Sequence, residues 1–217
     1  MSVSHLAEKQ REMARQVVLS GRFGEIRRVG GCDVSLCKSR RSADGAAAVV
    51  VMTFPDLEVI EVAVVRGRVE FPYVPGFLSF RELPLVTDAF ARLSGRPDVL
   101  ILDGQGLAHP RRFGLACHAG VELDLPTIGC AKSLLCGEFE PFELRRGNRV
   151  PLLLNSETVG YALCTRDRVK PIFVSPGHRI SHETAVEIVL RCATRYRLPD
   201  PIRLAHVESR RALGGRE

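Results

Sequence analysis

The run Val99-Leu100-Ile101-Leu102-Asp103 is apolar without interruption until it reaches a carboxylate, and it then breaks into Gly104-Gln105-Gly106. A strand with no polar alternation has no solvent face, so it belongs inside a sheet that is covered on both sides. Upstream, Ile26–Val29, Ala46–Met52 and Val59–Val65 read as three strands joined by short polar turns, a β-meander. Downstream come a helix over Phe113–Leu123, a buried strand over Thr127–Cys130, strands over Val159–Thr165 and Ile172–Ser175, and a helix over Ser181–Tyr196. Helical apolar spacing over Leu6–Leu19 and Phe80–Leu93 adds two more helices. Antiparallel strands first and β/α alternation afterwards predict an α/β chain with a mixed sheet flanked by helices. At 217 residues and 45% hydrophobic content, residues 1–217 are expected to form one domain around one full core.

The net charge of +6 favours contact with a polyanion. Arginine supplies much of it in the pairs Arg27-Arg28, Arg40-Arg41, Arg111-Arg112, Arg145-Arg146 and Arg210-Arg211, and a guanidinium fork suits phosphate oxygens as well as it suits a solvated surface. Seven cysteines without a close CxxC pair argue against a disulfide framework or a zinc site and for a reducing compartment. The first residues include Ser2, His5, Glu8, Lys9 and Arg11 in place of an apolar signal region, and no run approaches the roughly 18 residues of a membrane span. A soluble, cytoplasmic protein is expected, with no membrane partner.

Two features carry chemistry. The first is the turn Phe71-Pro72-Tyr73-Val74-Pro75-Gly76-Phe77-Leu78, set just before Glu82. Its prolines stiffen the backbone, Gly76 permits close approach to a ligand, and Tyr73 offers a flat face on which a base can stack. Phe71, Phe77 and Phe80 read as core anchors. The second is a set of polar groups at strand ends. Asp33 follows Gly30-Gly31-Cys32 and Asp103 ends the central strand, so neighbouring strands would bring the two together, with Glu82 as a third carboxylate. Converging carboxylates repel unless a divalent cation sits between them, and hard oxygen ligands select magnesium or manganese. Either aspartate alone reads better as a helix cap or turn residue, and Glu82 and Tyr73 read as evenly structural as functional; what lifts the acids is the three together. Lys132 and His178 follow two further buried strands, where an ammonium offsets developing phosphate charge and an imidazole moves a proton. His109, beside Arg111 and Arg112, is a candidate phosphate contact. His5, His118, His182 and His206 read as surface or core residues without chemistry.

These segments together resemble the endonuclease V repair enzymes. The resemblance rests on Gly31-Cys32-Asp33-Val34-Ser35, on Phe71 to Glu82, on Asp103-Gly104-Gln105-Gly106-Leu107-Ala108-His109-Pro110-Arg111-Arg112, on Leu125 to Ser133 and on Ser175-Pro176-Gly177-His178-Arg179, in family order over most of the chain. It implies a ribonuclease H-like fold and a magnesium-dependent endonuclease, with manganese able to substitute, that acts on DNA containing deaminated bases such as hypoxanthine. It implies cutting at the second phosphodiester on the 3′ side of the lesion, leaving 3′-hydroxyl and 5′-phosphate ends. For residues, it implies Asp33, Asp103 and Glu82 as metal ligands, with Lys132 and His178 supporting the phosphoryl chemistry. Tyr73 with Pro72 and Val74 would be a wedge filling the gap left by a flipped nucleotide, and Gly76, Leu78, Gly104 and Leu135 would line the pocket for the base. Three rival readings stay open: a ribonuclease for inosine-containing RNA, a non-catalytic module that binds damaged DNA, and a recombination nuclease for four-way junctions.

Overall fold

The structure, a computed structural model, describes residues 3–20, 24–38 and 43–215, so Ser2 and the Arg40-Arg41 pair lie outside the described residues. Among the described residues, eight strands form one sheet in the order β3-β2-β1-β4-β5-β8-β7-β6. Along the chain these are β1 (Arg28–Lys38), β2 (Ala43–Thr53), β3 (Val59–Val69), β4 (Val99–Asp103), β5 (Thr127–Ala131), β6 (Arg149–Leu154), β7 (Glu157–Leu163) and β8 (Ile172–His178). The helices are α1 (Val3–Ala14), α2 (Leu78–Ala91), α3 (Leu115–Leu123), α4 (His182–Cys192) and α5 (Asp200–Ala212). The mixed sheet flanked by helices is the expected ribonuclease H-like arrangement.

The central run behaves as its composition demands. Val99, Leu100, Ile101 and Leu102 are all fully buried, and burying each stabilises the fold by about 1.5–3 kcal/mol. Their alternate faces feed two cores. Val99 and Ile101 pack with residues of α4 and α5 on one side, and Leu100 and Leu102 pack with α2 and α3 on the other.

Three expectations need correction. The first strand does not end at Val29. It continues through Gly30-Gly31-Cys32-Asp33 to Lys38, paired throughout with β2. The two glycines are there for close packing, because a Cβ on Gly31 would lie 2.1 Å from the Pro201 carbonyl carbon, so only glycine lets the start of α5 lie directly on the strand. The second correction is β6, an edge strand carrying an exposed Pro151, where the missing N–H is tolerated. It is joined to β7 by Asn155-Ser156, both with positive φ (53° and 64°), as a tight hairpin requires. The third is α5, a helix in the last part of the chain, which opens with Asp200 and Pro201 in its first turn. The N-terminal helix is also shorter than its apolar spacing suggested, ending at Ala14. Among the described residues, no helix is long and apolar enough to cross a membrane.

Candidate active site

Strands β1 and β4 are parallel, with Cys32 opposite Leu102. The next residue on each strand is Asp33 and Asp103, so the register itself sets the two carboxylates side by side. Glu82, in the second turn of α2, reaches toward the same place and is buried. Burial first, then the neighbouring charges of Asp33 and Asp103, push its carboxyl up to about 8. Asp103 is also raised by burial and by Asp33, although the Lys132 ammonium, 2.5 Å from its Oδ2, pulls the other way. The buried Cys32 thiol, amid all three, is raised well above its ordinary value, chiefly by burial.

Asp33 is held from the opposite face. Ser209 Oγ donates to its Oδ2 at 2.7 Å, and His206 Nδ1 faces the same oxygen at 3.1 Å, which puts the ring proton on that nitrogen. Ser35 Oγ lies 3.4 Å from the same oxygen and 2.8 Å from Ser209 Oγ. Ile202, His206 and Ser209 share one stripe of α5. Seating Ile202 against Gly31 therefore carries the other two over Asp33. The carboxylates face one another without closing on a single point: among the described residues no three such groups are gathered tightly enough to hold an ion as they stand. The donor set nonetheless suits a hard divalent cation. Its members are all oxygens, and a carboxyl held near 8 becomes anionic at neutral pH when positive charge arrives beside it.

Against Asp103 opens a cavity of about 310 Å³, at the small end for ligand pockets. Tyr73, Val74, Gly76, Leu78, Gly104, His109, Lys132 and Leu135 all line it. Tyr73 is 69% exposed at its mouth. Pro72 falls elsewhere, on a separate groove between α1, β3 and α2. Gln105 crosses the cavity floor, donating from Nε2 to the Ser133 carbonyl at 3.1 Å, and so ties the loops after β4 and β5 together.

One histidine is not where its place in the sequence suggests, and a second is there but fully engaged. His178 ends β8, but β8 runs antiparallel to β5 and pairs His178 with Thr127, the start of β5, while Cys130 near its end sits beside Asp103. His178 is therefore at the far end of the sheet from the carboxylates. There its Nδ1 accepts from the Val18 amide at 3.3 Å and its Nε2 lies 3.8 Å from Asp124 Oδ1, a staple between β8, α3 and the segment after α1. His109 lines the cavity, yet both its nitrogens are engaged: Nδ1 accepts from the Arg111 amide at 3.2 Å, so Nε2 donates to the Gly76 carbonyl at 3.0 Å. Burial, then the Arg111 charge, pushes it down to about 4. Here it is a neutral prop for the Gly76 turn.

The Gly76 carbonyl also receives Arg111 Nη2 at 2.6 Å and Gln10 Nε2 at 3.2 Å. Gln10, fully buried on α1, accepts in turn from Arg111 Nε at 2.5 Å.

A family model for Endonuclease V matches residues 11–207. The chain belongs to the Endonuclease V family. The Endonuclease V of Roseiflexus castenholzii is 52% identical over 197 residues, which cover 90% of this chain and 86% of the relative. The solved Endonuclease V of Streptomyces avermitilis superposes with a TM-score of 0.92 at 41% identity, covering 98% of this chain and 93% of that one. The Endonuclease V of Ciona intestinalis, in complex with a 24mer DNA containing an inosine followed by a ribo-adenosine, superposes with a TM-score of 0.86 at 30% identity over 98% of each chain. As a family member this chain is a nuclease, a hydrolase of phosphodiester bonds.

Sequence reasoning missed Gln10, His206 and Ser209. For the last two a signal exists: Pro199-Asp200-Pro201 is a helix start, and Ile202, His206 and Ser209 follow at i, i+4 and i+7. For Gln10 the only hint is an amide among the polar residues of an amphipathic helix, which is no hint of burial.

Proposed function

We propose that this chain is a magnesium-dependent DNA repair endonuclease that nicks the strand at the second phosphodiester 3′ to a deaminated base, hypoxanthine above all, and leaves 3′-hydroxyl and 5′-phosphate ends. One observation carries the reading: Asp103 belongs both to the carboxylate trio and to the wall of a base-sized cavity whose mouth bears the exposed Tyr73. Chemistry and recognition then lie next to each other without overlapping, as cutting beside a lesion requires. Extruding a nucleotide costs a few kcal/mol, least for a weakened pair, and a ring inserted into the gap recovers part of it. Tyr73 is the wedge, and the extruded base enters the cavity between the Gly76 turn and the loops after β4 and β5.

Asp33, Glu82 and Asp103 would hold the magnesium or manganese ion, which supplies charge neutralisation at the phosphate and lowers the pKa of water. Lys132, drawn to Asp103, is positioned to shift its ammonium to a phosphate oxygen as charge grows there. His206 is 40% exposed, and with Nδ1 committed to Asp33 its Nε2 is the ring atom left to exchange a proton with solvent or substrate. The DNA bound by the Ciona intestinalis relative contains inosine, which supports the lesion assignment.

A second reading, cutting beside inosine in RNA, is favoured by one feature of that same complex, the ribonucleotide that follows the inosine. A single experiment separates the readings. An end-labelled duplex with one deoxyinosine and a matched inosine-containing RNA are incubated with magnesium or with chelator, and the cut is mapped on a gel. Magnesium-dependent nicking of the DNA one nucleotide beyond the lesion is expected. Cutting of the RNA alone moves the substrate to RNA, and cutting that persists in chelator removes the metal assignment.

A further inference from the structure

The end of the sheet that carries Asp103 also carries a row of cations that the chemistry above leaves unused. Strand β5 ends there, and because β8, β7 and β6 pair antiparallel in turn, β8 begins there, β7 finishes there and β6 begins there. Three loops therefore meet on one rim. The approach to β6 brings Arg145, Arg146 and Arg149. The β7–β8 connection adds Arg166, Arg168 and Lys170, and the segment after α4 adds Arg195 and Arg197. Against these eight cations the same connections hold four acids, Glu138, Glu140, Glu143 and Asp167, so positive charge is in excess along the rim.

Two of the eight are structural. Arg146 donates to the carbonyls of Thr165, Ala193 and Leu190, and Arg197 to those of Lys132 and Pro171, which staples the three loops to one another and to the loop bearing Lys132. Arg149 lies over the Tyr161 ring, and Arg166 makes a single donation, to the Arg195 carbonyl at 3.3 Å. Arg145, Arg166, Arg168, Lys170 and Arg195 are exposed and, among the described residues, have no ion-pair partner. Four of these five edge two adjoining clefts of about 490 and 540 Å³. Arg168 does so from φ +60°, a conformation that long side chains rarely adopt. Unpaired like charges this close repel, and a fold gains nothing by collecting them unless a polyanion lies across them.

We infer that this rim is a second nucleic-acid contact, which grips the phosphate backbone of the duplex some way from the cut. The inference rests on the function proposed above. Strands lie about 4.8 Å apart, so β7 and β6, three and four places from β4 in the sheet, set the rim roughly 14 to 19 Å from Asp103. At about 3.4 Å of axial rise per nucleotide, that is about four to six base pairs from the reacting phosphate.

The test compares wild type with a triple variant, Arg166→Ala, Arg168→Gly and Arg195→Ala, binding deoxyinosine duplexes over a salt series in chelator. One duplex has long flanks, and two others are cut back to about three base pairs on one side or the other. On the long duplex the variant should bind roughly tenfold more weakly at physiological salt, and its slope of log affinity against log salt should be shallower by about 2 to 3. The difference should vanish on one of the two shortened duplexes. Arg168→Gly alone removes one charge and relieves its backbone strain, so it tests the same idea in a variant that folds, with a slope change of about 1. Equal slopes on the long duplex, from a wild type that binds and nicks it, overturn the rim contact alone. A wild type that binds none of the duplexes overturns the rim contact and the proposed function together.

Discussion

Asp103, one of the carboxylate trio, and the Tyr73 turn line one cavity, yet the trio and the turn are held in different ways. Asp33 and Asp103 are placed by strand register, the least deformable geometry a chain has, and α5 then clamps Asp33 from above through Ser209 and His206. The turn has no strand beneath it. Its Gly76 carbonyl is gripped by Gln10 from α1 and by His109 and Arg111 from the loop after β4, three donors on one acceptor with two lone pairs. Phosphoryl chemistry needs groups that do not move, whereas recognition of a flipped base needs a loop that finds one position reproducibly. Under the proposed function, backbone pairing would meet the first need and side-chain clamping the second, so the two regions should fail differently when disturbed.

The largest failure should come from the rigid side. Asp103→Ala removes a proposed metal ligand from a strand whose other side chains stay packed, so nicking of a deoxyinosine duplex should fall by about 10³-fold or more while binding, read by gel shift, persists. Loss of both in a folded variant would mean that Asp103 binds substrate rather than metal. Next is Tyr73→Ala. The ring is 69% exposed, so the melting temperature should hold. Discrimination between deoxyinosine and undamaged duplex should drop by about 1–3 kcal/mol, the worth of one stacked base. Equal losses on both duplexes would dispose of the wedge.

The same contrast explains what could be read in advance. Val99-Leu100-Ile101-Leu102 announces a central strand, and Asp103 and Asp33 stand out because each ends or follows a motif that little else explains. Composition does not encode strand direction. His178 looked like a residue delivered to the working end, and only the antiparallel pairing of β8 with β5 sends it to the other. The two glycines before Asp33 read as the end of a strand, when they are the groove into which α5 packs. His206 was invisible for a related reason: its partner Asp33 is 173 residues away, and a long-range contact leaves no local pattern. The clamp on Gly76 was hidden in the same way, because burial of Gln10 depends on α1 docking against the turn, not on any feature of α1 alone.

The clamp has a pH signature with a definite sign. His109 is held at about 4, below the ordinary value of 6.5, because burial and Arg111 both oppose its charge. Between those values the unfolded chain binds the proton and the folded chain does not. Stability is therefore fully present above about pH 6.5 and declines as pH falls toward 4. On this account the loss is of order 2 kcal/mol by about pH 5. His109→Gln retains a donor for Gly76 and cannot titrate, so thermal melts of the variant should lose less between pH 7 and 5 than wild type does. Identical pH profiles would show that the fold does not lower His109 at all, and the clamp would carry no pH signature.

The smallest effect should separate holding the turn from folding it. Gln10 joins three contacts of two opposite senses: it donates to Gly76 and Phe113 and accepts from Arg111. Gln10→Glu keeps the acceptor and strengthens it with charge, but it has no proton to give. The Arg111 contact should survive, so the variant should fold, while the Gly76 carbonyl loses one of its three donors. A net hydrogen bond is worth about 1 kcal/mol, so discrimination for deoxyinosine should fall about fivefold. The turnover number should stay near wild type, because nothing in α1 touches Asp33, Glu82 or Asp103. A fall in turnover with discrimination intact would reverse the assignment. The turn would then be positioning the reacting phosphate rather than the base, and the division between a rigid chemical side and a clamped recognition side would have to be redrawn around Gly76.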